Sequence, residues 1–226
     1  MDSWIRYSNV PARTSTTPYR IAIAEDNALM AEGIIAVLRR EKGFKICGVA
    51  VDRKSTLALV DEKKPDVLLL SLFLKGCDGI DLVKHLAASF PKTRIVITAA
   101  GSQELYSHRL LRAGASACLS PSRTTAHDLI DVIRKAVAPK RPGPQTMRRT
   151  AGKSAAGLPA LSALTDRELH VFRLIGRGSG TGDIARELGL SPRTVEYYRE
   201  QIKRKLGYRD TVALHKGAFE WAQRAS

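Results

Sequence analysis

The sequence predicts two domains: a doubly wound α/β domain with a five-stranded parallel sheet, followed by an all-α four-helix domain. Three observations predict this. Short apolar runs alternate with helical patterns five times across residues 19–137, and such alternation produces a parallel sheet covered by helices on both faces. Residues 138–162 then change character, with Pro139, Pro142, Pro144, Pro159 and several glycines, the composition of a linker. Residues 163–226 carry helical patterning only.

The first domain is read in order as follows. Ile21-Ala22-Ile23-Ala24 is a buried strand that ends in Glu25-Asp26. A helix covers Asn27 to Arg40, with Met30, Ile34, Ile35 and Leu38 at helical spacing. Phe44–Val51 is a strand, Ser55–Lys63 a helix, and Asp66–Leu70 a fully apolar strand. The helix Gly79–Phe90, the strand Arg94–Thr98, the helix Ser102–Gly114, the short strand Ser116–Leu119 and the helix Thr125–Val137 complete the alternation. Right-handed crossovers give the strand order 2-1-3-4-5. Residues 1–18, rich in Ser, Thr and Pro, read as a flexible tail.

In the second domain Thr165 and Glu168 fit a capping box, which starts a helix running to about Arg177. A second helix begins near Thr181. Ser191-Pro192 opens a third, with Ser as cap and Pro in the first helical position, and this helix runs to Leu206. Asp210 or Thr211 caps a fourth that ends near Gln223. The linker's Arg148-Arg149 pair has two readings, a contact to phosphates or a plain solvated tether.

The chain's formal net charge of +15 favours an anionic partner. Residues 138–226, linker and second domain together, hold 17 Lys/Arg against 8 Asp/Glu, so the C-terminal part is the denser cationic surface. Cys47, Cys77 and Cys118 are odd in number, far apart and without nearby metal-ligand spacing, which argues against a disulfide framework or a zinc site and for a reducing cytoplasm. No apolar run is long enough to span a bilayer, so no membrane partner is expected. The first twenty residues lack the apolar core of a secretion signal. No nucleophile–base pair or phosphate-cradling glycine loop is apparent, so an enzyme is not expected, nor is a cofactor or metal.

A helix, a turn at Gly189-Leu190 and another helix make a helix-turn-helix, whose second helix enters the DNA major groove. Val195, Tyr198, Ile202 and Leu206 share one stripe and should pack inward. The expected DNA-facing set is Arg193, Thr194, Glu196, Tyr197, Arg199, Glu200, Lys203 and Arg204. Arg193, Arg199, Lys203 and Arg204 suit phosphates. Glu196 suits a cytosine amino group and Tyr197 a base edge. Glu196 and Glu200 also suit plain charge balance with Arg193 and Arg204 along the helix.

Leu164-Thr165-x-Arg167-Glu168, Gly178, Ile184-Ala185-x-x-Leu188, Ser191-Pro192-Arg193-Thr194-Val195-Glu196 and Ile202-x-x-Lys205-Leu206-Gly207 together resemble the LuxR-type DNA-binding domain. The resemblance implies that the helix from Ser191 to Leu206 reads double-stranded DNA. It also implies that the last helix pairs with its copy in a homodimer on DNA, with Val212, Leu214, Ala218 and Trp221 as the apolar candidates. Against that stands the reading that these four only cover their own domain's core. The turn Gly178-Ser179-Gly180-Thr181-Gly182 is richer in glycine than the family pattern, which implies a loosely held helix start.

Residues 19–137 resemble a response-regulator receiver of the CheY-like kind. The matching pieces are Glu25-Asp26, Pro65-Asp66-Val67, Gly76-x-Asp78-Gly79, Thr98 and Ala113-Gly114-Ala115. Receiver plus LuxR-type domain is the architecture of NarL/FixJ-type regulators. The resemblance implies an acceptor Asp, a Mg²⁺ site built on it and two further carboxylates, a phosphate-contacting Lys and a switching Thr. Glu25, Asp26 and Thr98 are retained, but Ser71 occupies the acceptor position. No Lys follows the fifth strand in Leu119-Ser120-Pro121-Ser122, and Cys118 stands where an aromatic is usual. Three departures in one site predict a pseudo-receiver and a regulator that acts independently of aspartyl phosphorylation. The alternatives are control by an unidentified ligand or partner protein at the pseudo-receiver, or an interaction adaptor with weak DNA binding. Cys77, beside the site, reads as a redox sensor or, more simply, as an inert thiol.

Overall fold

The computed structural model describes residues 4–5, 17–74, 77–99, 103–138 and 161–225. Nearly all of the 138–162 linker, including Arg148 and Arg149, lies outside the described residues. The strands are β1 (Trp4–Ile5), β2 (Tyr19–Ala24), β3 (Phe44–Ala50), β4 (Val67–Ser71), β5 (Arg94–Thr98) and β6 (Ala117–Leu119). They lie in the order β1-β6-β5-β4-β2-β3. The five strands β3-β2-β4-β5-β6 are parallel and follow the doubly wound order expected from the alternation.

One strand was not expected. β1 pairs antiparallel with β6, Trp4 opposite Cys118 and Ile5 opposite Ala117. The segment read as a flexible tail therefore contributes a sixth strand. The outer edge of β6 would otherwise present unpaired N–H and C=O groups, and an extended segment of any composition can satisfy them.

Helices cover both faces. α1 (Ala28–Arg39) and α5 (Ala126–Val137) pack on Ile21, Ile23, Val67, Leu69 and Val96. α2 (Arg53–Lys63), α3 (Gly79–Ser89) and α4 (Gln103–Ala113) cover the other face, where Ala22, Leu68, Leu70, Ile95 and Ile97 point. This is the side-chain alternation of period two that a strand imposes. Short polar side chains fix where helices start. Asn27 and Asp78 accept backbone N–H bonds as N-caps, and Asp52 and Thr125 close full capping boxes. The α2 box, with Ser55 as its reciprocal partner, starts that helix two residues before the position expected from the apolar pattern.

The second domain begins with a 3₁₀ turn (Leu161–Ala163), followed by α6 (Asp166–Gly176), α7 (Thr181–Leu188), α8 (Pro192–Leu206) and α9 (Thr211–Ala225). Thr165 and Glu168 form the expected capping box of α6, and Asp210 accepts from the Ala213 N–H at 2.7 Å at the head of α9. Phe172 is the centre of the core, 5.6 Å from the Trp221 ring and 6.4 Å from Tyr208. At Gly176 a Cβ would collide with the Ala218 carbonyl, so glycine lets α6 and α9 cross closely.

Every residue of α6 from Glu168 to Gly176 is buried, including Glu168, His170 and Arg173. A helix with no solvent face sits inside a larger body. One side of α6 meets α8 and α9, and the other meets the receiver. The hydrophobic core runs continuously from α3 and α4 into the second domain.

Candidate nucleic-acid interface

The helix-turn-helix is built by α7 and α8. Gly189 takes a left-handed conformation (φ 63°) and the Leu190 N–H bonds back to Ala185 O at 2.8 Å, which stops α7. Ser191 then caps α8 by accepting from the Thr194 N–H at 3.1 Å, and Pro192 takes the first position. Val195 and Ile202 are fully buried, and Tyr198 and Leu206 pack against the core beside them.

The outer face of α8 presents Arg193, Thr194, Glu196, Tyr197, Glu200 and Arg204. Tyr197 is 59% exposed, an unusual position for a large aromatic and a suitable one for a base edge or sugar. The remaining two of the eight expected residues are placed differently. Arg199 is only 7% exposed. It donates to Thr181 Oγ1 at 2.6 Å and contacts the His215 ring, and Thr181 in turn donates to Glu196 Oε1 at 2.6 Å. Arg199 is therefore a structural tie between α7, α8 and α9, because it lies one turn from Val195 and Ile202 on the inward stripe. The Lys203 side chain is 17% exposed and paired with Glu200 at 2.7 Å. Glu196 is tethered by Thr181, while Arg204 meets Gln201.

The same tie answers the glycine-rich turn. Gly180 caps α7 without a side-chain bond, but Thr181 is held by both Glu196 and Arg199. Helix α7 is thus anchored to the reading helix by side chains that a local reading of the turn does not see.

On α9 the four apolar candidates separate. Leu214 and Ala218 are fully buried in their own domain, and Trp221 is half-buried against Phe172. Val212 alone of the four faces solvent, at 78% exposure, and Phe219, seven residues on and so on the same face, is 55% exposed.

In the receiver, the C-terminal ends of the parallel strands bring together Glu25, Asp26, Ser71, Thr98 and Ser120. Ser71 and Thr98 are register partners at the ends of β4 and β5. Glu25 is buried and accepts from the Asn27 N–H at 3.0 Å. Burial pushes its carboxyl above the usual carboxylate range and Asp26 pushes it the same way, while bonds from Asn27 and Ser71 pull it back. Ser120, in the Leu119-Ser120-Pro121-Ser122 stretch that offers no Lys, is buried and shares a 3.1 Å bond with Ser122. Among the described residues no three His, Cys, Asp or Glu side chains are grouped to hold a metal. Cys77 and Cys118 are buried, and burial pushes both thiols up, Cys118 to about 12, so neither is a reactive thiolate.

Two family models match. The response regulator receiver domain matches residues 21–134, and the luxR family of bacterial regulatory proteins matches residues 162–217. The chain belongs to the luxR-type response regulators. It is a DNA-binding transcriptional regulator of that family. Among relatives, the regulator is 31% identical over 200 residues to the uncharacterized transcriptional regulatory protein YxjL of Bacillus subtilis, covering 84% of this chain and 90% of that one. It is 27% identical to the response regulator GacA of Pseudomonas aeruginosa, covering 86% and 92%. It is 28% identical to the nitrate/nitrite response regulator NarP of Escherichia coli K12, covering 87% and 93%. The solved structure of RcsB from Salmonella enterica serovar Typhimurium on the P1flhDC promoter superposes with a TM-score of 0.69 at 21% identity, covering 90% of this chain and all of that one. That likeness shows the same fold. No helix among the described residues is long and apolar enough to cross a membrane.

Proposed function

We propose that this regulator binds specific double-stranded DNA as a homodimer and does so independently of aspartyl phosphorylation. The observation that carries the reading is Ser71 at the end of β4. A neutral hydroxyl there forms no acyl phosphate and leaves only Glu25 and Asp26 as carboxylates. Glu25 is itself partly withdrawn, being buried and bonded to Asn27 and Ser71. With the acceptor carboxylate replaced and Glu25 buried and shifted up, this set of side chains is a poorer Mg²⁺ site than the three carboxylates that the resemblance implies. With no Lys in Leu119-Ser120-Pro121-Ser122, an incoming phosphoryl group lacks its counter-charge.

Dimerisation is assigned to the α9 face carrying Val212 and Phe219, in place of Leu214, Ala218 and Trp221, which serve the domain's own core. One solved relative is described as two RcsB dimers bound to two parallel DNAs, and a dimer of this chain would read two related half-sites. Incubation with acetyl phosphate and Mg²⁺, followed by intact-mass measurement, tests the chemistry: no added phosphoryl mass is expected. A base-labile, acid-stable adduct would refute the assignment of Ser71.

A further inference from the structure

We propose that the docked receiver supports DNA reading, with Arg167 as the positioning residue that joins the receiver to the helix-turn-helix. This rests on α8 being the DNA-reading helix. Arg167 stands on α6 and uses its planar fork in two directions. Nη1 donates to Asp78 Oδ2 at 3.3 Å, and Nη2 donates to Leu188 O at 3.0 Å. Asp78 belongs to the receiver, where it caps α3 by accepting from the Ile80 and Asp81 N–H groups at 3.1 and 3.3 Å. Leu188 is the last residue of α7. Its carbonyl lies among the orphan acceptors of a helix C-terminus, where a cation is favoured. Three residues later Ser191 starts the reading helix. One guanidinium therefore fixes the turn of the helix-turn-helix relative to a receiver carboxylate.

The rest of the interface keeps that bridge in place. Asp166 Oδ1 accepts from Arg109 at 2.8 Å and Oδ2 from Lys84 at 2.8 Å. Arg109 also donates to the carbonyl of Leu164 at 2.6 Å. The Arg173 guanidinium lies 3.3 Å above the Phe73 ring, which meets Tyr106 edge-on. His170 sits 4.0 Å from Asp78.

With all these contacts made, Arg193, Glu196, Tyr197, Glu200 and Arg204 still face solvent, as do Val212 and Phe219. The receiver grips the buried helix α6 and leaves the reading face and the α9 face open. Docking leaves both surfaces uncovered, and the Asp78–Arg167–Leu188 line gives it a means of ordering the turn.

The test compares the full chain with Asp78→Asn, Arg167→Lys and the double variant, on a duplex that the unaltered chain selects from a random pool. Asp78→Asn keeps an oxygen to cap α3 but removes the charge, and Arg167→Lys keeps the charge but cannot span both acceptors. Each is expected to weaken specific binding about tenfold, the scale of one charge-assisted bond. The double variant should be no weaker than either single one, since both break one bridge. The slope of affinity against salt should stay unchanged, because no phosphate contact is lost. Arg109→Ala, which loosens docking without touching the bridge, should widen the domain separation in small-angle scattering and weaken binding too. Tighter binding by any of these variants, or unchanged binding by all, overturns the proposal, as does a reduced salt slope for Arg167→Lys. A variant that loses binding through unfolding would show in its circular-dichroism melt, and Arg109→Ala then decides. Failure of the unaltered chain to select any sequence would instead refute the proposed function.

Discussion

The outer face of α8 and the strand ends of the receiver are both surface sites on well-packed scaffolds, yet they present opposite chemistry. The α8 face carries two arginines, two glutamates and an exposed tyrosine around a buried stripe of Val195 and Ile202. The receiver site brings three hydroxyls, Ser71, Thr98 and Ser120, to positions around two carboxylates. Its scaffold is undamaged: Leu68, Leu69 and Leu70 are buried immediately before Ser71, and Ile95, Val96 and Ile97 immediately before the retained Thr98. The difference teaches that site chemistry and fold are separable at strand ends. A core residue changed to Ser costs packing, whereas a surface acceptor changed to Ser costs only the reaction it performed.

The largest effect should come from breaking the reading face. Arg193→Ala and Tyr197→Ala should each cost roughly 1–3 kcal/mol of specific DNA binding, about the value of one good base or phosphate contact. Titration of labelled duplex by the full chain measures it, and the melting temperature should not move. Arg199→Ala separates the two roles on one helix: it should lower the melting temperature by releasing Thr181 and Glu196, because the side chain is structural.

Next is the α9 face. Phe219→Asp should abolish cooperative occupancy of two half-sites while leaving the fold intact, since Phe219 is exposed. A charge at buried Leu214 should instead unfold the domain. If Phe219→Asp binds as cooperatively as the unaltered chain, pairing uses another surface.

A smaller effect should follow pH at the docked helix. Burial holds His170 down to about 4, from an ordinary 6.5. Between those values the unfolded chain binds the extra proton and the folded chain does not. Stability therefore falls as pH drops through 6.5 and stops falling on this account below about 4. Burial and Arg199 lower His215 as well, so it acts in the same direction. Asp166 and Glu168 are held below their ordinary values by Lys84, Arg109 and Lys205 against the opposing effect of burial, so their contribution is kept at pH 5 and lost only in stronger acid. Urea unfolding at pH 7.5 and pH 5.0 should show a loss of about 1–3 kcal/mol, and His170→Gln should reduce the loss. The smallest effect is expected in the receiver site: Ser71→Asp should leave DNA affinity unchanged with or without a phosphodonor, because the cation and the aromatic are missing too.

Much of the fold is legible in the chain because its signals are local. Apolar runs mark the parallel strands, and Thr165 with Glu168 marks the start of α6. What was not legible depends on distant partners. The strand Trp4–Ile5 is made by the open edge of β6 more than a hundred residues away. The burial of α6 is made by Phe73, Asp78 and Arg109 of the other domain. Arg199 is the instructive miss. Its charge suggests a phosphate, but its spacing to Val195 and Ile202 placed it on the inward stripe, and the spacing decides. Val212 and Phe219 differ from Leu214 and Ala218 only in helical phase, which a list of apolar residues ignores and the crossing of α6 at Gly176 fixes.

The most direct measurement is the affinity of the full chain for its selected duplex, before and after incubation with acetyl phosphate and Mg²⁺. Affinity and cooperativity should be identical in the two samples, with Ser71→Ala indistinguishable from both. Binding that tightens, or a dimer that forms, only in the phosphodonor sample would contradict the account and require another acceptor in the receiver.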